Sequence, residues 1–200
     1  MSRIRLLPPD EWTPSLRELV QPEGRTDLEL GNVRIYAHRP ELAEAYVRFT
    51  AGIRSNSTLP ARLVELVRLR VAFHNQCRSC MAIRYADAVD AGVTEDLVCS
   101  LEKPEEAPDL TDAERAALRF ADLLASDHLS ISDQTIEDLR AHYDEPAIVE
   151  LGMHIALYVG YGRLSMAWDM VDELPDRFHE RDGRIAPWGG DDATVVGARR

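Results

Sequence analysis

Helix-start signals recur along most of this chain, and they constrain its fold more than any other feature of the sequence. A helix tends to begin at Ser, Thr, Asp or Asn, whose side chain accepts a hydrogen bond from the first turn, or with a proline. Apolar residues at helical spacing follow these signals, as in the segment that Pro40 opens. Thr111 with Glu114 also forms a capping box. The signals predict helices that begin near Thr13, Pro40, Pro60, Cys77, Thr94, Thr111, Ser132 and Asp144.

No convincing strand pattern occurs before residue 175, so we predict an all-α fold. Residues 1–174 are expected to form one helical domain, with a core of about 38–171, since no long polar linker divides them. The remaining residues, 175–200, are rich in Gly, Pro and charge and predict an arm or a disordered tail. Ile185 and Trp188 are its possible anchors.

Three glycines fall inside the last predicted helix, residues 144–171. Gly152, Gly160 and Gly162 interrupt an otherwise apolar run. The run is therefore expected either to bend or break, or to let another helix approach closely.

Charge and composition exclude several functions. The 200 residues carry 23 basic and 35 acidic side chains, and the net charge of −12 disfavours nucleic acid and anionic lipid as partners. No apolar run is long enough for a membrane span, and the first twenty residues lack the apolar core of a signal peptide. We therefore expect a cytoplasmic protein. Its three cysteines are an odd number, which argues against a structural disulfide framework.

Cys77 and Cys80 form a CxxC motif at the start of a predicted helix. The helix dipole and the unpaired amides there favour a thiolate, and the spacing places the two sulfurs within disulfide reach. The motif suits thiol exchange or peroxide reduction, although two buried cysteines can also be plain packing. We predict that the pair forms an intramolecular disulfide on mild oxidation.

Glu65 lies twelve residues before Cys77 on the preceding helix, and a turn at Asn75 would fold that helix back against the cysteines. Together with PARLVELV, this pattern resembles the AhpD-like, carboxymuconolactone decarboxylase family, whose redox members carry E-x11-C-x2-C-x3-H. The resemblance covers about residues 38–98, and PAIVELGMHIALYVGYGRLSMAW is similar to a later family helix more loosely. It implies an all-helical oligomer with peroxidase-type or disulfide-reducing chemistry. It also implies that Cys80 attacks and Cys77 resolves, although the helix dipole alone would favour Cys77 as the more acidic thiol.

Arg84 stands where the family pattern has histidine. An arginine does not release its proton, so the family's relay between glutamate and histidine cannot run here. If one helix carries the motif, positions 80 and 84 share a face. We therefore predict that Arg84 pairs with Glu65 and lies near Cys80, where its charge favours the thiolate.

Other side chains offer alternatives. His74, and His154 with Glu150, are possible proton donors, although His74 also suits a helix end and the other two an ordinary surface or interface pair. His74, Cys77, Cys80 and Glu65 are also a possible zinc set, but no second Cys/His pair supports it, and we expect no metal and no cofactor. Cys99 is expected to be a buried small residue.

The predicted site comprises Cys80, Cys77, Glu65, Arg84 and His74, and the leading hypothesis is an enzyme. We expect a thiol-dependent peroxidase or disulfide oxidoreductase that uses a hydroperoxide or disulfide substrate and a protein or small-thiol reductant. A non-catalytic oligomeric scaffold or small-ligand binder is the alternative, and lactone decarboxylation ranks last. We also expect a homo-oligomer, with residues 147–171 and the Trp188 arm as contact surfaces.

Overall fold

The computed structural model describes residues 2–180 and 183–197, and these are mainly helical. The α-helices, numbered in chain order, are α1 (Pro14–Val20), α2 (Asp27–Leu30), α3 (Val33–Tyr36), α4 (Pro40–Ser55), α5 (Ala61–Asn75), α6 (Arg78–Ala82), α7 (Ala86–Asp90), α8 (Glu95–Cys99), α9 (Asp112–Ser126), α10 (Asp133–Arg140) and α11 (Glu145–Trp168). Short 3₁₀ turns lie at Pro9–Glu11, Ser100–Glu102, His128–Ser130 and Asp176–His179. Two three-residue strands complete the described chain, β1 (Ile83–Tyr85) and β2 (Thr194–Val196).

Side-chain caps begin most of the predicted helices. The Thr111 hydroxyl accepts from the Glu114 amide, and the Glu114 carboxylate accepts from the Thr111 amide, so the predicted capping box at α9 is confirmed. Asp144 likewise accepts from the Ala147 amide at the start of α11. Local hydrogen bonds of this kind satisfy amides that have no partner inside the helix.

The main core forms where α5 packs between α9 and α11. Ten of the fifteen residues of α5 are buried, so it is the central helix of the domain. Fully buried side chains of the three helices include Leu66, Val67, Leu69, Val71, Leu118, Ala121 and Ile155. A second cluster joins α1 to α4, and a third surrounds Phe178 beneath α6.

Helix α11 runs without a break from Glu145 to Trp168, so the expectation of a bend or break at its glycines is wrong. The alternative of a close approach is confirmed at Gly162. A Cβ atom there would lie 2.5 Å from Nδ2 of Asn75, which donates 2.9 Å to the carbonyl of Tyr158. The missing side chain lets the end of α5 hydrogen-bond directly to the backbone of α11.

The predicted single helix after Cys77 is wrong, because β1 divides it into α6 and α7. β1 pairs in parallel with β2, with Arg84 opposite Val195. The expectation of no strand before residue 175 is therefore also wrong. The partner strand lies more than a hundred residues away in sequence, so no local pattern announces the pairing.

The described part of the tail packs against the domain. Gln76 exchanges hydrogen bonds with the backbone of Ile185, and the ring of Trp188 lies 4.7 Å from that of Phe73. Within residues 2–180 and 183–197, none of the helices combines the length and apolar character that crossing a bilayer requires.

Candidate active site

Cys77 and Cys80 are joined by a disulfide, with 2.07 Å between the sulfurs and 5.2 Å between the Cα atoms. The predicted pairing is confirmed. Gln76 ends α5 in the left-handed conformation, at φ 53°, and the amide of Cys77 then donates to the carbonyl of Ala72. This turn places Cys77 at the start of α6, fully buried, whereas Cys80 is half-buried and reaches a cavity.

Glu65 pairs with Arg68, one turn later on α5. Nε and Nη2 of Arg68 donate to the two Glu65 carboxylate oxygens at 2.8 and 2.7 Å, and both side chains are buried. The same guanidinium donates 2.5 Å to the carbonyl of Cys80 and 2.9 Å to that of Ile83. Burial acts to lower the pKa of Arg68, but the adjacent Glu65 carboxylate raises it above its ordinary value. A buried ion pair, with its guanidinium nearest, therefore lies against the backbone of Cys80.

Arg84 does not pair with Glu65, and that prediction is wrong. Its Nε and Nη2 donate at 2.8 and 2.9 Å to the carboxylate of Glu95 on α8. It also donates to the carbonyls of Met81, Ile83 and Pro187 at 2.7–2.9 Å and is only 1% exposed. Positions 80 and 84 do not share a helix face, because β1 lies between α6 and α7. Arg84 instead joins β1, α8 and the tail.

Sequence reasoning missed Arg68. Its signal was the spacing of three residues from Glu65, at which side chains on a helix face each other. Attention to the family motif, in which the glutamate is paired with a histidine, favoured Arg84 as the partner.

A cavity of about 890 Å³ opens beside Cys80. Arg68 and four tyrosines, Tyr46, Tyr85, Tyr158 and Tyr161, are among its lining residues. Arg68 also lies 5.2 Å from the centre of the Tyr85 ring, within range of a cation–π interaction. The thiol-bearing motif therefore faces a space with aromatic walls, large enough for a drug-sized organic molecule.

His154 is buried within the chain, so of the two expected settings, a surface pair or an interface pair, the surface pair is wrong. Its Nδ1 lies 3.3 Å from the hydroxyl of Tyr158, and its Nε2 lies 3.5 Å from the Glu150 carboxylate. Tyr158 lines the cavity, so the buried His154 lies directly behind one of the cavity's lining side chains.

Glu150 fastens α11 to the loop between α4 and α5. It accepts hydrogen bonds from the hydroxyls of Ser57 and Thr58 and from the amides of Thr58 and Leu59. Burial would raise the pKa of Glu150, but these donors outweigh it and lower the pKa to about 2. The carboxylate is therefore structural.

His74 lies in a different cluster from the cavity side chains. Its Nε2 is 2.7 Å from Oδ1 of Asp122 on α9, which also accepts two hydrogen bonds from Arg70. Among the described residues, no group of three or more His, Cys, Asp or Glu side chains is arranged to hold a metal ion. Cys99 is exposed, so the expectation that it is buried is wrong.

Comparison with known proteins places the motif in a family. Residues 40–123 match the carboxymuconolactone decarboxylase family, and this range includes Glu65, Arg68 and both cysteines. The uncharacterized protein YdfG of Bacillus subtilis is 30% identical over 109 residues, which are 52% of this chain and 71% of YdfG. The uncharacterized protein Rv2313c of Mycobacterium tuberculosis is 30% identical over 119 residues, 59% of this chain. The chain spans only 42% of the length of Rv2313c.

Solved structures share the fold at low identity. The alkylhydroperoxidase AhpD core of an uncharacterized peroxidase-related protein from Ralstonia eutropha matches with a TM-score of 0.69 and 18% identity, over 88% of this chain and 94% of that one. The debrominase Bmp8 matches with a TM-score of 0.71 and 19% identity, over the same shares of the two chains. The predicted all-helical, AhpD-like fold is thereby confirmed.

Proposed function

This chain belongs to the carboxymuconolactone decarboxylase family, and on that premise we propose that it is a thiol-dependent peroxidase that reduces organic hydroperoxides through Cys80 and Cys77. One observation carries the proposal. The half-buried Cys80 lines a cavity large enough for an organic molecule and forms a disulfide with the buried Cys77. Its carbonyl accepts a hydrogen bond from the guanidinium of Arg68.

The two cysteines take different roles because their exposure differs. Cys80 reaches the cavity, so it is the thiol that meets the substrate, while the buried Cys77 is protected from it. We propose that the guanidinium of Arg68, which donates to the carbonyl of Cys80, favours the thiolate form of this residue once the disulfide is reduced. This is the role that the sequence assigned to Arg84.

The reaction oxidises two thiols and reduces one peroxide bond. The Cys80 thiolate attacks the terminal oxygen of the hydroperoxide, the O–O bond breaks, and the alkoxide leaves with a proton as the alcohol. The Cys77 thiol then attacks the resulting sulfenic acid of Cys80, which releases water and forms the disulfide. An external dithiol reductant restores both thiols by exchange.

Tyr158 with His154 is our candidate for the proton donor to the leaving alkoxide. Tyr158 lines the cavity, and its hydroxyl lies 3.3 Å from Nδ1 of His154. A histidine can pass protons near neutral pH, which an arginine cannot. The pair would replace the histidine that the family motif places at position 84.

The test is thiol stoichiometry in the reduced protein. Each equivalent of cumene hydroperoxide should remove two thiols and join Cys77 to Cys80, as mass spectrometry of peptides would show. Cys80→Ser should abolish consumption, and Cys77→Ser should stop at a sulfenic acid. Cys99→Ser is the matched control and should behave as the wild type. Unchanged thiols in the folded, reduced wild-type protein would refute the proposal.

Tyr158→Phe tests the proton donor separately. It should slow peroxide reduction while leaving alkylation of Cys80 by iodoacetamide at its wild-type rate, because alkylation expels no basic alkoxide. Equal slowing of both reactions would indicate that Tyr158 only shapes the site.

Reductive dehalogenation is a second candidate, favoured by the aromatic walls of the cavity beside Cys80. Bmp8, which shares this fold, is described as a debrominase and has been crystallised with 2,3,4-tribromopyrrole. The same two thiols would replace one bromine by hydrogen, giving the disulfide and hydrogen bromide. Incubating the reduced protein with 2,3,4-tribromopyrrole and measuring bromide separates this activity from peroxide reduction. A protein that consumes neither substrate would be the non-catalytic scaffold or small-ligand binder.

A further inference from the structure

The cavity beside Cys80 is far larger than the smallest peroxide requires. Its volume of about 890 Å³ compares with roughly 30 Å³ for a water molecule in the liquid. Its lining also includes apolar side chains, among them Val47, Ile83 and Leu157, besides the four tyrosines. These walls suit a substrate with an apolar or aromatic body.

The charges around the cavity differ from those of the whole protein. The chain carries a net charge of −12, yet five arginines and three carboxylates line this space. The buried guanidinium of Arg34 is paired with Asp27 and Glu173, and Arg68 is paired with Glu65. Arg48 is likewise paired with Glu44, which lies outside the lining. Arg25 and Arg54 are therefore the lining arginines that have no carboxylate of the described residues within 4 Å.

Arg54 carries a positive charge that has no such pairing. It is half-buried on α4, and no carboxylate of the described residues lies within 4 Å of its guanidinium nitrogens. Tyr46 lies two turns earlier on the same helix, and the charge of Arg54 acts on its phenol. Burial nevertheless raises the pKa of Tyr46 to about 12, so the phenol keeps its proton at neutral pH.

Tyr46 and Tyr161 supply hydrogen-bond donors next to that charge. Their ring centroids are 4.5 Å apart, and both line the cavity. Neither hydroxyl bonds to another of the described residues. One cation and two phenols thus line a space that Cys80 also lines, and together they can bind a single acidic group.

We propose that this cavity selects organic hydroperoxides that carry a carboxylate, with the acid group bound at Arg54 and Tyr46 and the peroxide at Cys80. The selection rests on the peroxidase function proposed above, and the chemistry is the same. The O–O bond breaks, the hydroxy acid leaves, and Cys77 closes the disulfide with release of water. The apolar body of the substrate lies between the two ends, along the tyrosine and aliphatic walls.

Two hydroperoxides that differ only in the acid group provide the test. Cumene hydroperoxide and its para-carboxylate are mixed separately with the reduced protein, and the rate of disulfide formation is followed by stopped flow. The carboxylate should react about tenfold faster, as expected for one charge-assisted hydrogen bond. Arg54→Gln should bring the ratio of the two rates close to one, and Arg54→Lys should retain most of the preference. Arg17→Gln, which removes an exposed arginine away from the cavity, is the matched control and should keep the wild-type ratio.

Binding of 4-isopropylbenzoate, which has no peroxide group, separates this inference from the peroxidase proposal. Equilibrium dialysis should show that the wild-type protein binds it about tenfold more tightly than the Arg54→Gln protein does. If it binds in this way but no hydroperoxide oxidises the thiols, the acid site stands and the peroxidase function fails. If both hydroperoxides oxidise the thiols at equal rates, or the preference persists in Arg54→Gln, the acid site is refuted and the peroxidase function stands.

Discussion

Replacing Arg68 with methionine should destabilise the protein severely, because it leaves a buried carboxylate without its cation. Glu65 is 0% exposed, and removing one partner of a buried ion pair costs about 3–5 kcal/mol. The carbonyls of Cys80 and Ile83 also lose their donor, at roughly 1 kcal/mol each. The total of roughly 5–7 kcal/mol is a large part of the 5–15 kcal/mol by which most domains are stable.

A second replacement, Glu65→Leu, should reverse most of that loss. With both charges gone, only the two carbonyls remain without a donor, so the double variant should lose roughly 2 kcal/mol. Urea unfolding of the oxidised wild type, both single variants and the double variant measures the coupling between the two side chains. A double variant as unstable as the sum of the single variants would refute the reasoning.

The pH dependence gives an independent check. In Arg68→Met, burial should raise the pKa of Glu65 above the value of about 4.3 that it has in the unfolded chain. The part of the loss that comes from the unpaired Glu65 charge should therefore be absent below that pH and should grow as the pH rises through the folded pKa, whereas the cost of the two carbonyls should not depend on pH. The single and double variants should converge in stability between pH 7 and pH 5.

Arg84→Met is the matched control. It removes a guanidinium with a similar number of hydrogen bonds, but its carboxylate partner, Glu95, is 36% exposed and can be hydrated. It should therefore leave the rate of Cys80 alkylation in the reduced protein unchanged, whereas Arg68→Met should slow it several-fold, as a loss of thiolate predicts.

Three further predictions follow from the packing of α11. Gly162→Ala should cost about 1–3 kcal/mol in urea unfolding, because its Cβ would displace the Asn75 amide, whereas Gly160→Ala, with open space around it, should be neutral or slightly stabilising. Glu150→Gln should lower the free energy of unfolding at pH 7. The pKa of Glu150 is about 2 in the folded protein and about 4.3 in the unfolded chain, so the difference in stability between wild type and variant should shrink as the pH falls below about 4.3. Val149 is 61% exposed and lines a groove of about 770 Å³ between α4 and α11, and we expect it to lie in the contact between copies of the chain. Light scattering should therefore report an oligomer for the wild type and a 22.5 kDa monomer for Val149→Glu. A monomeric wild type would contradict this.

The sequence by itself determined the helical class, the starts of most of the helices and the cysteine pair, but not the short helices α2, α3 and α7. The predicted features depend on interactions between residues that are close in the chain, such as Thr111 with Glu114, or Cys77 with Cys80. Interactions between residues three positions apart depend on the residue types and their spacing, so a sequence pattern can predict them. The close approach of α5 to α11 at Gly162 was predicted too, although only as one of two alternatives.

Only the tertiary structure decided which arginine pairs with Glu65. The strand at Ile83–Tyr85 exists because Thr194–Val196 pairs with it, and this pairing turns Arg84 towards Glu95 and leaves Glu65 to Arg68. The cavity likewise is lined by residues from both strands and from seven helices, α1 to α6 and α11. Contacts across such separations depend on how the elements pack, and the energy of burying charges without partners then selects among the possible pairs.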